Sequence, residues 1–170
     1  LLNERNPMIL FEPKDIPRAY VIWKATCGPA AFAAVTRRPV MTCRSFFPSF
    51  PAITWCNPSA MLVALRTAGI PHKKTAVVND AGELPAYGLA FIQIGGSWCR
   101  PNVPVGAAYR RTHWIGYAVG KVGESASVYD INIERWIPVA EWRETVLPAL
   151  VAHHKGDGTW SVRQGIAVMI

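Results

Sequence analysis

In the stretch "TCGPAAFAAV" a cysteine, Cys27, stands directly before Gly-Pro and a run of small apolar residues. Pro29 suits a first helical turn, where its missing N–H would have no partner, and Pro39 cannot continue a helix. A helix is therefore expected from about 27 to 37, with Cys27 at its N-terminal end. The unpaired N–H groups and positive dipole end found there lower a thiol pKa and favour the nucleophilic thiolate. Such a thiol needs a base, and His113, at the head of the strand-like "HWIGYAVG", is the candidate. The other histidines read as solvated or dipole-capping groups: His72 follows a Pro turn, and His153 and His154 lie near a helix end. A third group should hold the imidazole in one tautomer. Asp130 lies 17 residues beyond His113, near the end of the next strand, and a hairpin would bring the two together. Asn132, on the same face, is the alternative orienting group, and an Asp at a hairpin end also serves simply to accept backbone hydrogen bonds.

These residues need elements to hold them. "NPSAMLVALRTAG" marks a second helix, with Asn57 as cap, Pro58 in the first position, Met61, Leu62 and Leu65 as the apolar stripe and Gly69 as the stop. Between the two helices "SFFPSFPAITW" reads as an extended aromatic loop that covers a core or rims a cleft. After residue 72 the signals are those of strands: "KTAVV", "LAFIQIG", "HWIGYAVG" and "SASVYDIN" are short, rich in β-branched or aromatic residues, and bounded by Gly, Asn, Asp and Ser. The last two flank "KVGE" as an antiparallel hairpin. Alternation puts His113, Ile115, Tyr117 and Val119 on one face. "PVAEWRETVLPALVAHH" reads as a helix disturbed at Pro148, and "TWSVRQGIAVMI" as one or two closing strands. The segment 1–20 reads as an arm with Pro-bearing turns laid over a single domain spanning 1–170. Helices followed by consecutive strands indicate an α+β fold with an antiparallel sheet.

Composition narrows the function. With 51% hydrophobic and 17% charged residues in 170, the chain is globular and able to bury a sizeable core. Its longest apolar runs, "AAFAAV" and "LPALVA", are far shorter than the ~20 residues a bilayer requires, so no transmembrane segment is expected. Charges arrive too early at the beginning for the apolar core of a signal peptide, and localisation is not legible there. The formal charge of +7 would suit acidic partners. The cations are dispersed, the densest groups being Arg37-Arg38, Lys73-Lys74 and Arg110-Arg111, so they read as a solvated surface and nucleic acid is not the expected partner. Cysteines at 27, 43, 56 and 99 contain no C-x-x-C pair, which argues against a zinc site, and thiol chemistry calls for no cofactor. An oxidising compartment would permit one or two disulfides; the reading taken is reduced thiols, with Cys43, Cys56 and Cys99 as small buried hydrophobes. The tryptophans at 55, 98 and 114 are read first as core and second as the lining of a groove.

"TCGPAAFAAV", then "HWIGYAVG", then "VYDIN" resemble, in order and spacing, the papain-like cysteine peptidases, and most of all the branch that processes bacteriocin leader peptides after a double glycine. The resemblance runs from about residue 23 to 145 and includes "ERWIPVAEW". It implies a papain-like fold in which the Cys-bearing helix packs on an antiparallel sheet. It also implies Cys27 as nucleophile, His113 as base, Asp130 as orienting group, and a thioester intermediate formed on a protein or peptide substrate. The scaffold is similar to that of deamidases, acyltransferases and protein cross-linking enzymes, which use a Cys-His pair on glutamine or peptide amides, and a secreted effector, a toxin or a phage-encoded factor that modifies a host protein fits it equally. One position departs: the family's Gln, about six residues before the cysteine, is Val21 here. Gln93, Gln164, the indole N–H of Trp23 and backbone amides near Cys27 are the remaining oxyanion donors, and spacing favours none. That departure supports the competing reading, a non-catalytic binding protein of papain-like fold that uses a basic, aromatic surface to grip a protein or nucleic acid.

Overall fold

Helix α2 (Cys27–Thr36) is buried along its whole length after the cysteine, which explains a sequence of Ala, Phe and Val with no polar face. It ends where Arg37 turns left-handed and its N–H reaches back to Ala33 O. Its small side chains let it approach a sheet closely, and the carbonyl of Val35 accepts a hydrogen bond from Tyr87 Oη at 2.6 Å. In the computed structural model that describes residues 9–170, α2 occupies the middle of a mixed α+β arrangement of six α-helices and a six-stranded antiparallel sheet. The first eight residues of the expected arm lie outside the described residues.

The rest of the arm is not all extended. Ile16–Trp23 forms helix α1, which buries Ile16, Ala19 and Trp23 at helical spacing. Pro17 falls in its first turn, where a missing N–H is harmless, so a residue that reads as a turn signal opens a helix instead. Before α1, Glu12 Oε1 accepts from the Trp136 N–H and Phe11 O from its indole, so this stretch does lie over the domain. The Asp15 carboxylate accepts from the N–H groups of Val40 and Met41, capping a 3₁₀ helix (Val40–Phe46) that carries buried Cys43. Helix α3 (Pro58–Thr67) begins as its sequence requires, with Asn57 Oδ1 accepting from the Ala60 N–H at 2.8 Å. Between the 3₁₀ helix and α3, Phe47 and Phe50 pack around Trp23 and Phe32, while Trp55 is 66% exposed.

The sheet runs β1 (His72–Lys74), β8 (Trp160–Val168), β4 (Tyr87–Ile94), β5 (Thr112–Ala118), β6 (Ser127–Asp130) and β7 (Arg135–Pro138) in spatial order. Every residue of β4 is buried, because both sheet faces are covered. Leu89 and Phe91 pack with α1, α2 and α3, whereas Ala90, Ile92 and Ile94 pack with α5 (Val139–Thr145) and α6 (Leu147–His154). The hairpin of β5 and β6 pairs Gly116 with Tyr129 and Ala118 with Ser127. "KTAVV" is not one strand: it splits between β1 and β2 (Val77–Val78), which pairs with β3 (Ala81–Gly82) in a separate two-stranded sheet. The disturbance at Pro148 is a full break, with Pro148 in the first turn of α6. The short helix α4 (Val105–Tyr109) and strand β7 carry no periodicity that would announce them. Cys99 is exposed, unlike the buried Cys43 and Cys56, because it follows the loop after β4 instead of entering a core. Among the described residues no helix is long and apolar enough to cross a membrane.

The seat of α2 on the sheet is Gly116. A Cβ there would stand 3.2 Å from Val35 Cγ2, 3.0 Å from Tyr129 Cβ and 2.9 Å from the Trp136 ring, so no side chain fits without moving the helix. Gly116→Leu is expected to lower stability by about 1–3 kcal/mol through overpacking, measured by urea unfolding.

Candidate active site

Helix α2, strand β5 and the end of β6 bring three side chains to one place. β6 pairs with β5 only from Gly116 onward, so the first residues of β5 have no strand beside them on that edge. Cys27 sits against this strand, where the backbone N–H of Trp114 and the ring of His113 both act to lower its thiol. Gly28 makes this seat possible, since a Cβ there would lie 2.9 Å from Cys56 Cβ and 3.4 Å from the Trp114 ring. The Trp114 indole N–H in turn donates to Cys56 O at 2.6 Å, tying the loop before α3 to the strand that carries the histidine.

His113 is buried, and its Nε2–H donates to Asp130 Oδ2 at 3.0 Å, which leaves Nδ1 for the cysteine. Asp130 is fully buried and receives four hydrogen bonds. Oδ2 accepts from His113 and from the Trp142 indole N–H at 2.9 Å; Oδ1 accepts from the backbone and side-chain N–H groups of Asn132, each at 2.9 Å. Burial by itself would raise the carboxyl, but the charge of His113 and these donors hold it below the usual range. Burial also opposes charge on His113, and the Asp130 carboxylate together with Cys27 outweighs it, raising the imidazole. The same balance acts on Cys27: desolvation raises its thiol, and the His113 charge, its ring and the Trp114 N–H bring it below the ordinary value. Cys56, one layer away, is pushed up to about 12 by burial and by its proximity to Cys27, and Cys43 to about 12 by burial. Of the four cysteines, Cys27 is the one whose thiol is held below its ordinary value, and it is partly exposed at a helix start.

The structure therefore brings Cys27, His113 and Asp130 together and sorts the other expected residues differently. Asn132 does not orient the imidazole; it holds the carboxylate that does. Gln93 is 4% exposed and its amide N–H groups donate to the carbonyls of Ile94, Ala108 and Arg111, so it is not an oxyanion donor. The Trp23 indole is buried among Phe47 and Phe50, its N–H has no partner among the described residues, and no substrate reaches it there. Val21 projects from α1 and is 72% exposed. The first intrahelical bond of α2 runs from the Ala30 N–H to Thr26 O, so the N–H groups of Cys27 and Gly28 precede the ladder and lack a partner within the helix. Trp142 is the residue that sequence reasoning missed. Its signal was faint, an indole in the segment after the aspartate, and its role appears only once α5 folds back over β6.

Among the described residues no group of three or more His, Cys, Asp or Glu is arranged to hold a metal ion. Asp130→Asn removes the charge that raises His113, so the imidazole is expected to titrate at lower pH than in the wild type, as read by NMR of the ring protons. Trp142→Phe keeps the packing but removes one donor to a buried carboxylate, with an expected loss of about 1.5–3 kcal/mol in urea unfolding. Comparison of the chain with protein-family models, with curated proteins and with solved structures finds no match in any of the three.

Proposed function

We infer that the chain is a thiol-dependent hydrolase of amide bonds, a cysteine peptidase or a close chemical relative, with a papain-like arrangement of its helix and sheet. The observation that carries this reading is the His113 ring held between a partly exposed thiol at a helix start and a fully buried carboxylate. In the reaction the Cys27 thiolate adds to the acyl carbon of a peptide or glutamine amide. The Cys27 N–H, which precedes the hydrogen-bond ladder at the start of α2, is the donor to the developing oxyanion. The His113 imidazolium gives its Nδ1 proton to the leaving amine, and a thioester remains. Neutral His113 then takes a proton from the incoming water or other nucleophile, and the thiolate is released as the carboxylate product forms. Asp130 stays ionised throughout and fixes the tautomer.

A second reading, a binding protein without catalysis, draws on the missing glutamine and on charge placement. Residues 16–79 carry eight Lys and Arg and no Asp or Glu, so the excess positive charge belongs to the helical half, and most of these cations are exposed. An acidic protein is the partner such a surface fits. Its affinity would fall steeply with salt, whereas alkylation of an activated thiol by a neutral reagent would not.

The two readings separate in one experiment, the pH dependence of iodoacetamide labelling with peptide mapping. The thiol lowered by His113 should label rapidly and at Cys27 alone at pH 6, and His113→Ala should shift its labelling up toward the ordinary thiol value of ~8.5. Slow labelling at pH 6 in the wild type, indistinguishable from His113→Ala, would rule out the hydrolase and favour the binding protein.

A further inference from the structure

A second feature of the same sheet is a cavity of about 240 Å³ between strands β4 and β8, the start of α3 and the short helix α4. Its walls include Pro58, Phe91, Ala108, Gln93, Arg163 and Gln164. Phe91 in its wall packs on the ring of Trp114, with centroids 4.8 Å apart, and Trp114 lies on the strand that carries His113.

The polar end of this cavity depends on an irregularity in β8. Phe91 pairs with Gln164, but the next residue, Ile92, pairs with Val162, so Arg163 is an extra residue bulged from the ladder. A bulge re-aims a side chain, and here two consecutive residues, Arg163 and Gln164, line the same cavity. Arg163 is half-buried, and among the described residues it pairs with no carboxylate. Both glutamines are buried and held by their amide N–H groups: Gln93 donates to three backbone carbonyls, and Gln164 to those of Thr75 and Gly165. Neither amide can rotate without losing those bonds. Their Oε1 atoms accept no hydrogen bond among the described residues, and neither is among the fully buried atoms left without a partner.

We propose that this cavity binds a primary carboxamide side chain of the substrate, that of glutamine or asparagine. A guanidinium and two fixed carbonyl oxygens ask for a group that accepts on one side and donates on the other, and a carboxamide does both. A carboxylate would satisfy Arg163 but meet the two oxygens with negative charge, and an aliphatic side chain would leave all three unpaired. Neither Cys27 nor His113 lines the cavity, so the carboxamide held here is a recognition handle and not the amide that reacts. The proposal rests on the hydrolase reading for its meaning as specificity, but the binding event is measurable without the chemistry.

The test uses the full chain carrying Cys27→Ala, labelled with ¹⁵N, and three capped peptides, acetyl-Ala-X-Ala-N-methylamide with X as Gln, Glu or Met. The caps contain no primary amide. The Gln peptide is expected to shift the side-chain amide signals of Gln93 and Gln164 saturably, with the Glu and Met peptides at least tenfold weaker. Arg163→Met, which keeps the stem and removes the donors, should abolish the preference for Gln over Met. Equal or tighter binding of the Glu or Met peptide, or signals unmoved by all three, would overturn the proposal. Because these signals do not depend on thiol reactivity, failure here is distinct from failure of iodoacetamide labelling at Cys27, which would overturn the hydrolase reading instead.

Discussion

An ionised carboxylate with no exposure to water is the condition around which this site is organised. Removing Asp130 from solvent costs several kcal/mol even after the protein relaxes, and hydrogen bonds to a charged acceptor return about 1.5–3 kcal/mol each. Four such bonds converge on it, from a strand, an α-helix and the turn that follows β6. Each donor is thereby held in place as firmly as the carboxylate. Asn132 shapes the turn, Trp142 draws α5 over the sheet, and His113 has one ring nitrogen committed, so the other can face only the cysteine. The energetic demand of one buried charge thus becomes the geometric order of three elements.

The thiol is positioned by a different constraint, the closeness of helix to sheet. α2 has almost no side-chain volume on the face that meets β5, and glycines at 28 and 116 remove the last obstacles at its two ends. A larger separation would leave Cys27 out of reach of the Trp114 N–H and the His113 ring, and with them of the interactions that lower its thiol. The small residues of the "CGPAAFAAV" run therefore act on the chemistry through distance. They do so without touching substrate.

The parts of this arrangement that were legible in the chain are those governed by local rules. Asn57-Pro58 announces α3 because capping and the tolerance for proline at a helix start are local, and the same holds for Cys27-Gly-Pro at the head of α2. The hairpin of β5 and β6 follows from alternation and a polar connection, and it carried the proximity of His113 and Asp130 with it. What stayed hidden depends on partners distant in the chain. Trp142 reads as an ordinary apolar helix residue until its indole meets a carboxylate twelve positions earlier. Gln93 reads as a candidate donor to substrate until three backbone carbonyls occupy it. Helix α1 was obscured by its own Pro17, and Arg163 by an alternation that the chain itself breaks.

That break gives β8 a property that its neighbours lack. In a regular strand, losing one residue turns every later side chain to the opposite face. In β8 the loss of Arg163 would restore regular pairing instead, with Val162 and Gln164 still on opposite faces and both cores intact. The strand thus tolerates a single deletion at one place, where the fold would survive and the cavity would lose its cation. The fold and the charge of the cavity are separable there by chain length as well as by substitution.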